Sequence, residues 1–239
     1  MTRVAVSWSG GKDSCLACYK ALQKGLEISY LLNFISSKDN RCMSHGVNSR
    51  LITAQSEAVG IPLIQKEVTW DTYEEEFKKA AKGLKEMGID GIVFGDIDII
   101  EHLNWVIRVC NDVGVLCMEP LWRLNREQVL NEFINAGFEA VVVNVKADIF
   151  GAEWLGRKID ETFIKDLLGL NATRNVDICG EFGEYHTLVI DGPIFKKSIK
   201  IHAYRKILRE GYWFLEITDF SLEEKSHGGS ISDEENPCI

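Results

Sequence analysis

Between residues 3 and 120 the chain alternates short apolar runs with amphipathic stretches, and this alternation restricts its fold more than any other feature. "RVAVSW" (3–8), "EISYLLNF" (27–34), "IPLIQKEV" (61–68), "GIVFGD" (91–96) and "VLCMEP" (115–120) read as strands. Between them, "CLACYKALQK", "NSRLITAQSEAVG", "YEEEFKKAAKGLKEMG" and "IEHLNWVIRVCNDVG" place apolar residues at helical spacing. Strands that alternate with helices build a parallel sheet covered on both faces. Residues 1–120 are therefore expected to form a doubly wound α/β domain of Rossmann-like type. Ligands of such sheets bind beyond the carboxyl ends of the strands.

The pattern then changes. "NREQVLNEFINAG" (125–137) and "IDETFIKDLLGL" (159–170) read as helices, and "EAVVVNVKA" (139–147) as a strand. "SIKIHAYRKILREGYWFLEITDF" (198–220) alternates at period two, as antiparallel strands around a turn at Glu210-Gly211 do. A smaller, mixed α/β domain is expected over 121–225, followed by a disordered tail over 226–239, which is polar and acidic. The net charge of −9 argues against a broad nucleic-acid footprint. No apolar run approaches the roughly 20 residues of a membrane span. The seven cysteines are odd in number and irregularly spaced, and no signal-peptide pattern opens the chain. Reduced thiols and a cytoplasmic location are expected.

"SWSGGKDS" (7–14) lies just beyond the first strand. Its adjacent glycines let backbone N–H groups approach an anion, the following helix points its positive end at the same place, and Lys12 adds a full charge. It is a phosphate cradle of a kind other than Walker A, since Val6 and Asp13 occupy the Gly and Ser/Thr positions of that motif. Cys15 and Cys18, on the helix behind the loop, are expected in the core. Lys12 itself is read as a loop cation with no part in the core.

"SGGKDS" resembles the PP-loop of the ATP pyrophosphatases. The resemblance implies that Ser9, Gly10, Gly11, Lys12, Asp13 and Ser14 grip the β- and γ-phosphates of ATP, with Lys12 and Asp13 catalytic. It places Gly95 and Asp96, at the end of the fourth strand, at the nucleotide. His45, beyond the second strand, is either a nucleotide contact or an ordinary loop residue. A second loop, "GEFGEYHT" (180–187), offers carboxylates and glycines for a substrate or is a solvated turn.

Taken with "PLW", "EWLGR" and "DGP", the order of motifs over residues 1–195 resembles the diphthine–ammonia ligases, in the compact form found in archaea. That resemblance implies ATP-dependent amidation of diphthine on elongation factor 2, through an acyl-adenylate. Ammonium is the nitrogen source, Mg2+ assists the departing pyrophosphate, and AMP is released. Glu181, Gly183, Glu184 and Thr187 are then expected to hold the substrate, with Glu184 catalytic. The acids, with Trp122 or Trp154, are expected to receive the quaternary ammonium. Phe182 departs from the family pattern, where a smaller residue is expected. Cys179 and His186 are a possible nucleophile pair by residue type alone, and free ammonium is the expected source instead. No membrane or nucleic-acid partner is expected, and neither metal ligands nor oligomeric state is assigned. A PP-loop tRNA-modifying enzyme of thiolase type and a non-catalytic nucleotide-binding protein remain as other readings.

Overall fold

The computed structural model describes residues 1–43 and 45–225, so the expectation for 226–239 lies outside the described residues. In the first half β1 (Arg3–Ser7), α1 (Lys12–Gln23), β2 (Glu27–Ser36), α2 (Ser49–Val59), β3 (Leu63–Val68), α3 (Tyr73–Glu86), β4 (Gly91–Val93), α4 (Ile100–Val113) and β5 (Leu116–Met118) alternate as the periodicity requires. The strands pair in parallel in the order β3-β2-β1-β4-β5. The chain winds outward from β1 in one direction and then returns to its other side. The switch point therefore falls between β1 and β4, where the loops at the strand ends diverge and leave room for a ligand.

The second half comprises α5 (Arg126–Asn135), β6 (Glu139–Lys146), α6 (Glu161–Arg174), β7 (Tyr185–Asp191), β8 (Lys197–Arg209) and β9 (Tyr212–Glu224). Its strands form an antiparallel sheet in the order β7-β6-β9-β8. Glu210 and Gly211 both have positive φ, +52° and +82°, and close the long β8–β9 hairpin. Two residues of positive φ match the twist of the strands they join.

The boundary near residue 120 separates two sheets without separating two cores. Val6, Leu16 and Ile52 on the α1–α2 side belong to one continuous apolar cluster with Phe133, Val142 and Leu188 of the second half. A smaller cluster under α3 and α4, with Phe77, Leu84, Ile92 and Val106, fills the other face of the parallel sheet. Among the described residues no helix is long and apolar enough to cross a membrane. Cys15 and Cys18 are fully buried, as expected.

Candidate active site

The loop between β1 and α1 is held in shape from behind. Gly10 has φ +80°, and a Cβ there would meet Gln55 Oε1 at 2.3 Å. A Cβ on Gly11 would fall 2.1 Å from His45 Cε1, and one on Gly95 would press within 2.9 Å of the Asp13 backbone. The glycines therefore do more than free N–H groups: they let α2, β4 and the His45 loop close directly onto the SGGKDS loop. Ser9 Oγ accepts from Gly11 N (3.3 Å), and Ser14 Oγ donates to the Gly11 carbonyl (3.1 Å).

Strand β7 runs along the same loop and stitches the two halves together. Lys12 N donates to Thr187 Oγ1 (3.0 Å), and Val189 N donates to the Gly10 carbonyl (3.0 Å). Gln55, fully buried, donates to the carbonyls of Gly10 (2.8 Å) and Val189 (2.7 Å) and accepts from Trp8 Nε1 (3.0 Å). His45 Nδ1 donates to the Thr187 carbonyl (3.0 Å), and its ring stacks on His186 at 4.7 Å.

Above the loop lies a cavity of about 480 Å³ at the switch point. Of the expected site residues, Ser9, Lys12, Asp13, Ser14, Gly95, Asp96, Glu181 and Thr187 line it. Gly10 and Gly11 are buried behind its wall. His45 lines it too.

The electrostatics are strongly shaped by burial. Lys12 is only 4% exposed, which corrects its reading as a loop cation outside the core. Its Nζ donates to Asp13 Oδ2 (2.8 Å) and to the Cys179 carbonyl. Burial alone would lower the Lys12 pKa, but Asp13 and the neighbouring acids outweigh it and hold the ammonium charged. Burial lowers His45 to about 4, and burial with His45 alongside lowers His186, so both imidazoles are neutral near pH 7. Burial, with Asp13 next, pushes Glu181 up to about 7. Outside the cavity, Glu119 is raised to about 9 by burial and then by the adjacent Asp96 carboxylate.

The "GEFGEYHT" loop departs from expectation at Glu184. This side chain is 5% exposed and turns away from the cavity. Its carboxylate accepts from Asp177 N (3.2 Å) and Phe182 N (3.0 Å), so it pins the loop that carries Glu181. Gly183 likewise lies outside the cavity lining, with φ +76°. Phe182 causes no distortion: it is 62% exposed, and the Arg126 guanidinium sits over its ring at 5.3 Å. Cys179 is no nucleophile. Its thiol is pushed up to about 12 by burial, and Sγ donates to the Arg126 carbonyl (3.1 Å), whereas His186 stacks on His45.

The expected tryptophans are also displaced by others. Trp154 packs on Phe150 and Phe163 under the Arg157 guanidinium, and neither Trp122 nor Trp154 lines the cavity. Its aromatic wall comes from the first half: Trp70, Tyr73, Phe94 and Trp105. Nothing in the local pattern marks these residues, because Tyr73 and Trp105 sit at apolar helix positions and Trp70 in a short turn. Gln55 was equally hidden, as a polar residue inside an amphipathic helix.

A parallel sheet with a Gly-rich SGGKDS loop after its central first strand defines a nucleotide-binding α/β protein of the PP-loop ATP pyrophosphatase class. Within that class, the chain belongs to the diphthamide synthase family: residues 2–117 match the diphthamide synthase N-terminal domain and residues 125–222 its C-terminal domain. It is similar to the diphthine–ammonia ligases of Rattus norvegicus (29% identical) and Homo sapiens (27%), with 93% of this chain and 93% of each relative covered. It is also 29% identical to that of Schizosaccharomyces pombe, over 80% of this chain and 34% of that protein. The chain thus spans nearly the whole length of the two vertebrate relatives and about a third of the fission-yeast one.

Proposed function

We propose that this chain amidates diphthine on elongation factor 2 to diphthamide, consuming ATP and ammonium and releasing AMP and pyrophosphate. The observation that carries this reading is that one cavity joins the SGGKDS loop to Glu181 and Thr187 of the second half, in a chain whose relatives are named diphthine–ammonia ligases. ATP supplies the adenylyl group that turns an unreactive carboxylate into an acyl donor, and ammonia takes its place at the acyl carbon.

The protein's part is positioning and charge. Lys12, held charged at the floor of the cavity, stabilises negative charge on the departing pyrophosphate. Ser9 and Ser14 present hydroxyls there, and the start of α1 adds its positive end. Asp13 and Asp96 suit a magnesium ion carried in with the phosphates. Asp13 Oδ1 is buried without a protein partner, as an oxygen awaiting a cation would be. Magnesium keeps most of its ligands from phosphate and water, so two carboxylates suffice. Neutral His45 and His186 wall the cavity without adding charge. A chain with this substrate works in the cytoplasm, alongside the translation factor, with its cysteines reduced.

Purified protein supplied with diphthine-bearing elongation factor 2, ATP and ammonium should yield the amide by mass spectrometry, with one AMP and one pyrophosphate per amide. ADP and phosphate as products, or AMP release that requires tRNA in place of the factor, would refute the assignment.

A further inference from the structure

Three rings stand in a row on one wall of the cavity. Trp70 lies just beyond β3, Tyr73 opens α3, and Trp105 sits on α4. Trp70 and Tyr73 have ring centroids 6.0 Å apart, and Tyr73 and Trp105 are 5.8 Å apart, with interplanar angles of 34° and 41°. The inner end of the row is braced. Phe77 meets Trp105 edge-on at 5.1 Å, and Trp105 Nε1 donates to Glu74 (3.0 Å), which is itself forked to Arg108. The outer end is open: Trp70 is 72% exposed. Trp70 and His186 also line a neighbouring groove that contains Arg41, Arg209 and Tyr212, so the two hollows are continuous past this ring.

Two carboxylates stand near the wall. Asp96 and Glu181 line the same cavity, and Asp96 acts electrostatically on both Tyr73 and Glu181. Asp96 is engaged by His102, whose Nδ1 lies 3.2 Å from Oδ1 and whose pKa that carboxylate raises, which leaves Glu181 as the carboxylate facing the wall. Lys12 is committed to Asp13 and the Cys179 carbonyl, and His45 and His186 are neutral. A cationic group that can neither donate nor accept hydrogen bonds suits such a place. Aromatic faces attract it through their quadrupoles, and nearby carboxylates balance its charge. A purine stacks on ring faces as well, and the wall offers it no edge donor, since the Trp105 indole N–H is given to Glu74; the ATP arm of the test below separates the two occupants.

We propose that Trp70, Tyr73 and Trp105 form the subsite for the trimethylammonium group of the protein-borne substrate, with Glu181 as its counter-charge. The inference rests on the amidation reading above and adds where the substrate's cation is held. A group carried on a large protein arrives from outside, and Trp70 is the ring it meets at the mouth.

Choline and its uncharged isostere 3,3-dimethyl-1-butanol test the subsite by calorimetric titration and by the upfield shift of methyl protons over ring faces. Wild-type protein should bind choline at least about tenfold more tightly than the isostere, the range expected of a desolvated cation–π contact. Trp70→Ala removes an exposed ring and leaves the core intact. It should abolish the choline shift and raise KM for diphthine-bearing elongation factor 2 about tenfold, with the Kd for ATP changed less than twofold. Trp70→Phe keeps a ring face and should recover most of the loss. Equal binding of choline and the isostere would overturn the proposal. So would a weakened Kd for ATP with choline binding intact, which would mark the wall as an adenine platform. If wild-type protein amidates diphthine and Trp70→Ala does so equally well, the subsite falls and the reaction stands. If Trp70-dependent choline binding is present but diphthine is never amidated, the subsite stands and the reaction falls.

Discussion

Lys12 shows how burial changes what a residue is for. Its Nζ donates to Asp13 and to the Cys179 carbonyl, and the side chain is almost wholly covered although it lines the cavity. Lys12→Ala should lower kcat/KM for ATP by about one to two orders of magnitude, through a lost charge-assisted contact of roughly 1.5–3 kcal/mol. It should also lower Tm by a few degrees, because the half-buried Asp13 carboxylate and the Cys179 carbonyl lose their donor at a cost of about 1–2 kcal/mol. An unchanged melting curve would show that the ammonium contributes nothing to the fold. Glu119 and Glu181 tell the opposite story. Their folded-state pKa values lie above the ordinary carboxylate range, at about 9 and about 7. The folded state thus holds protons that the unfolded chain releases, and stability falls as pH rises from the unfolded value through the folded one. Glu119→Gln keeps the shape and needs no proton. It should raise Tm by ~2–4 °C at pH 8 and by much less near pH 4.5. A gain of equal size at both pH values would mean that Glu119 is ionised in the folded protein.

At the scale of elements, the seam between the phosphate loop and β7 does the organising. Gln55 of α2 bonds to three groups at once, two of them backbone carbonyls from opposite halves of the chain. Gln55→Leu fills the space but leaves the Trp8 indole N–H without its acceptor and takes one donor from each of the two carbonyls. It should cost about 2–4 kcal/mol, read as a fall in the urea midpoint, and weaken ATP binding in the variant that remains folded. Unaltered stability would mean that water or backbone shifts replace the amide. Glu184→Gln acts on the other loop. The carboxylate accepts from two backbone N–H groups, and the amide turns a donor toward one of them. Both the KM for the factor and the Tm should worsen, because the loop bearing Glu181 is released. A loss of turnover with Tm unchanged would return Glu184 to direct contact with the reaction.

The whole molecule is two sheets on a shared core. The larger apolar cluster runs from β1 and α1 through α5 to β6 and β7 without a break. Heat or urea should therefore unfold the chain in one transition, with calorimetric and van't Hoff enthalpies equal. Two resolved transitions would show that each half keeps a core of its own.

The residue pattern by itself determined much of this. The parallel sheet was legible because doubly buried strands and amphipathic helices carry different periods, and period is a local property of the chain. The turn at Glu210-Gly211 and the Gly-rich turn between β1 and α1 were legible for the same reason: short spans of chain dictate their backbone shape. The wall of Trp70, Tyr73 and Trp105, the Gln55 rivet and the inward turn of Glu184 were decided only by tertiary structure. Each depends on groups distant along the chain. Trp105 is oriented by Glu74, Gln55 joins Gly10 to Val189, and Glu184 faces inward because its carboxylate accepts from the N–H groups of Asp177 and Phe182. A glutamate in a Gly-rich loop looks the same in sequence whether it meets a substrate or its own backbone. What separates the two cases is which buried donors the folded chain must satisfy.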